Sequence, residues 1–156
     1  MYFWRTDKLI ADLKQNTVSQ AQFKNYYLAS GIFILLIVFL MSQMPVEDWK
    51  MNLSLFLINS GLLISWMNTI FKANGGNQGQ QFLNRVIALY LPISIKLMVY
   101  FIIASIIFQL ILNGFENQMP KITFDLINQW SSSCFDIAMN VVLYWRIYIA
   151  VKQINT

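Results

Sequence analysis

Four long apolar stretches constrain what this chain can fold into more than any other feature of its sequence. They cover residues 26–43, 52–71, 86–112 and 124–151. A helix needs roughly 20 predominantly apolar residues to cross the hydrocarbon core of a bilayer, and each stretch approaches or exceeds that length. The chain is 57% hydrophobic and only 12% charged, about half the charged fraction of a typical soluble domain. We therefore predict an all-α polytopic membrane protein, with a single transmembrane domain of four helices over residues 1–156.

The third and fourth stretches depart from a simple straight span. The third is longer than a bilayer requires, which favours a tilted or kinked helix, and Pro92 supplies a cause for a kink. The fourth contains Asp125 and Asp136, and an aspartate at the centre of a membrane helix costs about 3 kcal/mol on insertion scales. We expect this helix to insert with help from a neighbouring helix. The sequence leaves open whether residues 122–134 lie within the membrane or at its outer surface.

The positions of lysine and arginine predict the orientation of the chain. Cytoplasmic loops of membrane proteins carry an excess of these residues. The side with few of them has Lys50 and Lys121, beside the acidic residues Glu47, Asp48 and Glu116. Both termini are therefore predicted to be cytoplasmic, in a bacterial inner membrane. The basic residues on the predicted cytoplasmic side are Arg5, Lys8, Lys14, Lys24, Lys72, Arg85, Arg146 and Lys152.

The leader, residues 1–25, carries apolar residues at a loosely helical spacing with charges between them. This pattern predicts an amphipathic helix that breaks near Asn16. The helix either lies on the cytoplasmic leaflet, with its aromatic side chains in the interface, or packs against the bundle. Because tryptophan is enriched where a membrane meets water, we interpret Trp4, Trp49 and Trp145 as interface anchors.

Lys96 places a full positive charge inside the third span. It follows Arg85 by roughly 16 Å of helix, and Asp136 precedes Arg146 by roughly 15 Å. The third and fourth helices run in opposite directions, so the similar depths predict an ion pair between Lys96 and Asp136. The depths match only if Arg85 and Arg146 lie at the same height. In the alternative, Lys96 extends its stem towards the cytoplasmic interface.

One face of the fourth helix is polar over four turns, because polar residues recur there at every third or fourth position. A polar face cannot point at lipid, so it must meet other helices or water. The second and third spans offer polar partners. We define the polar seam as Asp125, Gln129, Ser132, Asp136 and Asn140 together with the candidate partners Asn59, Ser65 and Lys96.

The polar seam has three interpretations. As structural glue, each interhelical hydrogen bond is worth about 0.6 to 2 kcal/mol and fixes the register of the bundle. As a hydrated path, the seam uses Lys96 as a selectivity or gating charge, or Asp136 as a proton relay. A catalytic role is the third, although these residues lack any motif with diagnostic spacing.

Several chemistries are excluded or disfavoured by composition. The chain has no histidine, which is the commonest general base and metal ligand, and its single cysteine, Cys134, excludes an internal disulfide. Quinone-linked thiol oxidoreductases need cysteine pairs and are excluded. The NGGNQG segment at residues 74–79 lacks the Gly-Lys-Ser/Thr of a phosphate-binding loop and is predicted to be an exposed turn. We predict no cofactor and no metal, and we interpret the net charge of +4 as a topology signal rather than a nucleic-acid site.

These patterns leave three functional classes. The first is a small non-enzymatic membrane protein that self-associates, or that serves as an anchor or accessory subunit for a cytosolic or membrane partner. The second is a pore or channel, including a membrane-permeabilising effector, whose path is lined by the fourth helix. The third, and least favoured, is a lipid-facing enzyme. In each class the bilayer is the first partner, and we expect a homo-oligomer because a small bundle with polar groups on three helices completes its burial with copies of itself.

Overall fold

The computed structural model describes residues 2, 4–42 and 49–155, and these fold into five α-helices without any β-strand. Glu47 and Asp48, which were placed on the side with few basic residues, fall outside the described residues. Four of the helices are long and apolar enough to cross a membrane, which confirms the predicted all-α class with four apolar helices. The helices are α1 Thr6–Lys14, α2 Gln20–Ser42, α3 Trp49–Ala73, α4 Phe82–Gly114 and α5 Lys121–Asn155.

The four long helices pack side by side in the order α3, α5, α4, α2. Hydrogen bonds from Asn59 to Asp136 and from Asn155 to the Ala73 carbonyl show that α3 and α5 run in the same direction. Contacts between Gln109 and Asn128, and between Arg85 and Asn155, show that α4 runs opposite to α5. The ends of α3 and α5, the beginnings of α2 and α4, and helix α1 therefore lie at the same end of the molecule.

That end holds almost all of the buried core. Leu9 of α1, Ile70 of α3 and Leu89 of α4 are fully buried there, and the last three turns of α5 pack against them. We call this end the packed half and the opposite end the exposed half. In the exposed half Leu35, Leu110 and Ile122 are 69%, 68% and 77% exposed, as lipid-facing side chains of a membrane bundle are.

Helices α4 and α5 are longer than a bilayer is thick. Their 33 and 35 residues make each of them about 50 Å long, against a hydrocarbon core of about 30 Å. Helix α4 continues without a break through Pro92, which is fully buried, so the predicted kink stays a prediction. The length of α4 and α5 beyond a membrane span belongs to the packed half, where apolar side chains are covered by protein.

The leader packs against the bundle, the second of its two predicted arrangements. Leu9 and Leu13 of α1 are buried against α4 and α5, and the backbone N–H of Tyr2 donates a hydrogen bond of 2.7 Å to the Tyr26 hydroxyl. The helix stops where predicted, because Asn16 takes a left-handed conformation with φ of 53°. Ser19 then starts α2: its hydroxyl accepts from the Gln22 N–H, and the Gln22 side chain accepts from the Ser19 N–H.

Candidate intramembrane polar site

Three residues of the polar seam form a closed hydrogen-bonded cluster between α3 and α5. The Asn59 side-chain amide donates to one carboxylate oxygen of Asp136 at 2.8 Å. Asn140 lies one turn after Asp136, and its amide donates to the Asn59 carbonyl oxygen at 3.2 Å and to the other Asp136 oxygen at 3.4 Å. All three side chains are half-buried. The cluster supplies amide donors to a carboxylate inside the bundle and fixes the register of α3 on α5.

The predicted ion pair between Lys96 and Asp136 is wrong. The Lys96 ammonium donates instead to the hydroxyl of Thr6, at the start of α1, at 3.0 Å. Asp136 has its amide partners on α3 and α5, and no ion pair joins it to Lys96 among the described residues.

The mismatch has a geometric cause. The ring of Phe101 lies 6.3 Å from that of Phe135, so Asp136 lies opposite a part of α4 about five residues beyond Lys96, or roughly 7.5 Å further along the axis. Arg85 meets Asn155 rather than Arg146, so the two arginines do not share a height.

The remaining seam residues of α3 and α5 are not covered by the bundle, and those of α5 lie in the exposed half. Asp125, Gln129 and Ser132 of α5 and Ser65 of α3 are all exposed. The Ser132 hydroxyl donates to the carbonyl of Gln129, and the Gln129 amide reaches only the sulfur of Met51 at 3.3 Å. The seam is therefore divided: its middle is hydrogen-bonded between α3 and α5, while its outer part, Asp125, Gln129 and Ser132, is exposed.

Two polar contacts were missed by the sequence analysis. Gln109 of α4 donates to Asn128 of α5 at 2.8 Å, next to the outer part of the seam. Arg85 is buried and bonds to Asn74 and Asn155, although it was interpreted only as a topology signal. The one-face periodicity of α5 did not include Asn128, and no local pattern signals that residues 74 and 155 meet residue 85.

A cleft of about 350 Å³ opens between α2 and α3 in the packed half, and all four long helices contribute to its walls. The Ser30 hydroxyl contributes to one wall and has no hydrogen-bond partner among the residues that the structure describes. Most of the other walls are apolar, so the cleft offers space to an apolar group. The lining side chains are Tyr27, Ser30, Gly31, Ile34, Leu63, Met67, Val86, Ile87, Tyr90, Tyr144 and Ile147.

The described residues contain no group of three or more metal-ligand side chains close enough to hold an ion. Cys134 is exposed on α5. The predicted anchors Trp4, Trp49 and Trp145 are 60%, 66% and 47% exposed. Trp49 lies at the start of α3 and Trp145 lies in the packed half, so the two residues belong to opposite ends of the bundle, as a pair of anchor belts requires.

Comparison with known proteins gives no relative: no family model, no curated protein and no solved structure matches this chain.

Proposed function

We propose that this chain is a non-enzymatic integral membrane protein that acts by self-association, with the outer part of the polar seam as its contact surface. The observation that carries the proposal is the exposure of Asp125, Gln129 and Ser132 in the exposed half of α5. Both termini, with the packed half, are proposed to lie on the cytoplasmic side of a bacterial inner membrane, because most of the lysines and arginines belong to that end.

Lipid is an unsuitable neighbour for this face. Hydrocarbon offers no hydrogen bonds, so an amide or carboxylate that faces it loses those that it made to water. The Ser132 hydroxyl is satisfied by a backbone carbonyl, but the Gln129 amide has only a thioether and Asp125 bonds to no other described side chain. A protein surface that offers donors and acceptors would remove this cost.

A second copy of the chain fits that requirement. An amide carries both donors and an acceptor, so two copies related by a two-fold axis can bond Gln129 to Gln129 and bring each Asn128 near the other. Interhelical hydrogen bonds of this kind are worth about 0.6 to 2 kcal/mol each, and several on one face suffice to select an arrangement. An accessory role, in which another membrane protein covers the face, is the other outcome of the same test.

The test is the mass of the purified chain in mild detergent and in nanodiscs. We expect a defined oligomer for the wild type and a shift towards monomer for the double variant Asp125→Asn, Gln129→Leu, because the exposed hydrogen-bonding groups are lost. Asn68→Leu is the matched control, since it removes an exposed amide of α3 in the packed half. A wild type that is monomeric without a co-purified protein contradicts the proposal, and a stoichiometric second protein supports the accessory role.

A pore is the alternative function, and it uses the same surface. If several copies enclose water rather than each other, the exposed amides of Asn128 and Gln129 line the path. The purified chain alone would then conduct ions in liposomes, and Gln129→Leu would lower the conductance. Liposomes that contain the oligomeric protein but show no ion conductance support self-association instead.

A further inference from the structure

A buried arginine lies beside the loop that joins α3 to α4. Arg85, in the first turn of α4, is only 7% exposed. Its Nη1 donates to the side-chain oxygens of Asn74 at 2.8 Å and of Asn155 at 2.9 Å, and its buried Nε–H has no acceptor in the part of the chain that the structure describes. Three chain segments that are far apart in sequence therefore converge on one guanidinium group.

Among the described residues, none neutralises the charge of Arg85. Both of its acceptors are neutral amides, and no carboxylate of the described residues forms an ion pair with it. Removing a cation from water without an opposite charge is costly, and buried charges in proteins are normally paired. Within the described residues, the packed half thus contains a cation without a counter-charge, which an external anion would complete.

The space for an anion is present next to the guanidinium. A cavity of about 430 Å³ is lined by Arg85 and Asn155 and by the end of α3 with Lys72. The loop that joins α3 to α4, which we call the glycine-rich loop (residues 74–80), completes the lining. A water molecule occupies about 30 Å³ in the liquid, so the cavity is large enough for a phosphate group and several waters. Lys72, which is exposed at the rim, adds a second positive charge.

The glycines of the loop beside this cavity tolerate few substitutions. Gly75 and Gly76 take left-handed conformations with φ of 96° and 58°, and a Cβ at Gly79 would collide with the backbone of Asn74. Asn74 is 2% exposed and is oriented by donating to the Gln80 carbonyl at 3.3 Å, so its oxygen is fixed towards Arg85. The guanidinium is thereby held in one place before any ligand arrives.

We infer that the Arg85 cavity binds a phosphate group. Arginine binds phosphate through several charge-assisted hydrogen bonds at once, and it keeps its charge at any physiological pH. The glycine-rich loop lacks the lysine and hydroxyl of a nucleotide-binding loop, and here the cation comes from the following helix instead. The phosphate comes either from the headgroup of an anionic phospholipid or from a free phosphate compound, since the cavity lies at the water-facing end of the predicted spans.

The experiment uses the full chain in nanodiscs and measures its melting temperature. One arm adds inorganic phosphate or pyrophosphate to nanodiscs of phosphatidylcholine, and the other replaces part of that lipid with phosphatidic acid. A ligand that is present at ~100 times its Kd raises the melting temperature by about 5 to 11 °C for a chain of this size. A rise in the first arm identifies a free phosphate compound, and a rise in the second arm alone identifies a lipid headgroup.

Variants show whether the effect belongs to this cavity. Arg85→Gln is expected to abolish the rise and Lys72→Gln to weaken binding about 10-fold, whereas Lys121→Gln, which removes a lysine at the opposite end, is expected to change nothing. Lys72 is exposed, so its variant stays informative even if Arg85→Gln does not fold. The inference is overturned if neither arm raises the melting temperature, or if Lys72→Gln responds as the wild type does.

Discussion

At the scale of single residues, Asp136 and Lys96 show how a charge inside a membrane helix is accommodated without an ion pair. The Asp136 carboxylate accepts hydrogen bonds from two amides, and the Lys96 ammonium donates a hydrogen bond to the Thr6 hydroxyl. Hydrogen bonds to a charged group contribute about 1.5 to 3 kcal/mol, roughly twice the value of a neutral pair. Lys96 of α4 and Asp136 of α5 therefore each have neutral hydrogen-bond partners and do not pair with each other.

The first residue-scale prediction concerns the cluster of Asn59 and Asp136. Asn59→Leu leaves the carboxylate without its 2.8 Å donor, and Asp136→Leu leaves the amide without its acceptor, so each is expected to destabilise the protein by about 1 to 3 kcal/mol. The double variant is expected to lose less than the sum, because residues in contact are coupled. Melting in detergent measures all three, and simple additivity would show that the two side chains do not bond.

The second residue-scale prediction separates Lys96 from Asp136. Lys96→Met removes a hydrogen bond to Thr6 and not an ion pair, so its loss should add to that of Asp136→Leu within about 0.5 kcal/mol. Thr6→Val should instead be coupled to Lys96→Met. A strong recovery of stability in the double variant of Lys96 and Asp136 would contradict the observed hydrogen bonds.

At the scale of elements, α1 is the helix that depends most on its neighbours. Nine residues are too few for a stable isolated helix, so α1 exists because Leu9 and Leu13 are buried against α4 and α5. We predict that Leu9→Ala destabilises the protein by about 2 to 5 kcal/mol and exposes the leader to protease. Lys14→Ala, at an exposed position of the same helix, is the control. Equal protease resistance in both variants would mean that α1 is not held by its apolar face.

The elements differ in how far the sequence could predict them. The four long helices followed from hydropathy. An apolar segment that crosses lipid must pair its backbone polar groups within itself, and an α-helix does this whatever its neighbours are. The turn at residues 74–79 and the stop at Asn16 followed from local residue types. The partner of Lys96 did not, because it lies 90 positions away and depends on how α1 packs.

The polar seam shows the same division between local and tertiary information. Helical spacing brought Asp136 and Asn140 to one face, and Asn59 was among the expected partners. Spacing alone gave no indication that Gln129 would remain exposed, since the burial of a helix face depends on which neighbours the helix acquires. The burial of Arg85 depends on three segments that meet only in the folded chain.

At the scale of the whole molecule, the two loops at opposite ends test the proposed orientation. In a Cys134→Ser background, Asn77→Cys reports on the loop between α3 and α4, and Gln118→Cys on the turn between α4 and α5. With both termini inside, a membrane-impermeant maleimide added to intact cells should label position 118 and should label position 77 only after permeabilisation. The reverse pattern would invert the orientation and place the Arg85 cavity outside.

The division into a packed half and an exposed half also has a consequence for how the molecule comes apart. The packed half is held by its own side chains, whereas the exposed half is held together largely by the surrounding lipid, so the two have different local stabilities. In detergent, amide hydrogens near Leu89 and Ile147 should exchange with deuterium last, and those near Ile107 and Leu126 first. A thinner or more fluid bilayer would loosen only the second group. The bilayer would thus set the stiffness of one end of the protein while leaving the other end unchanged.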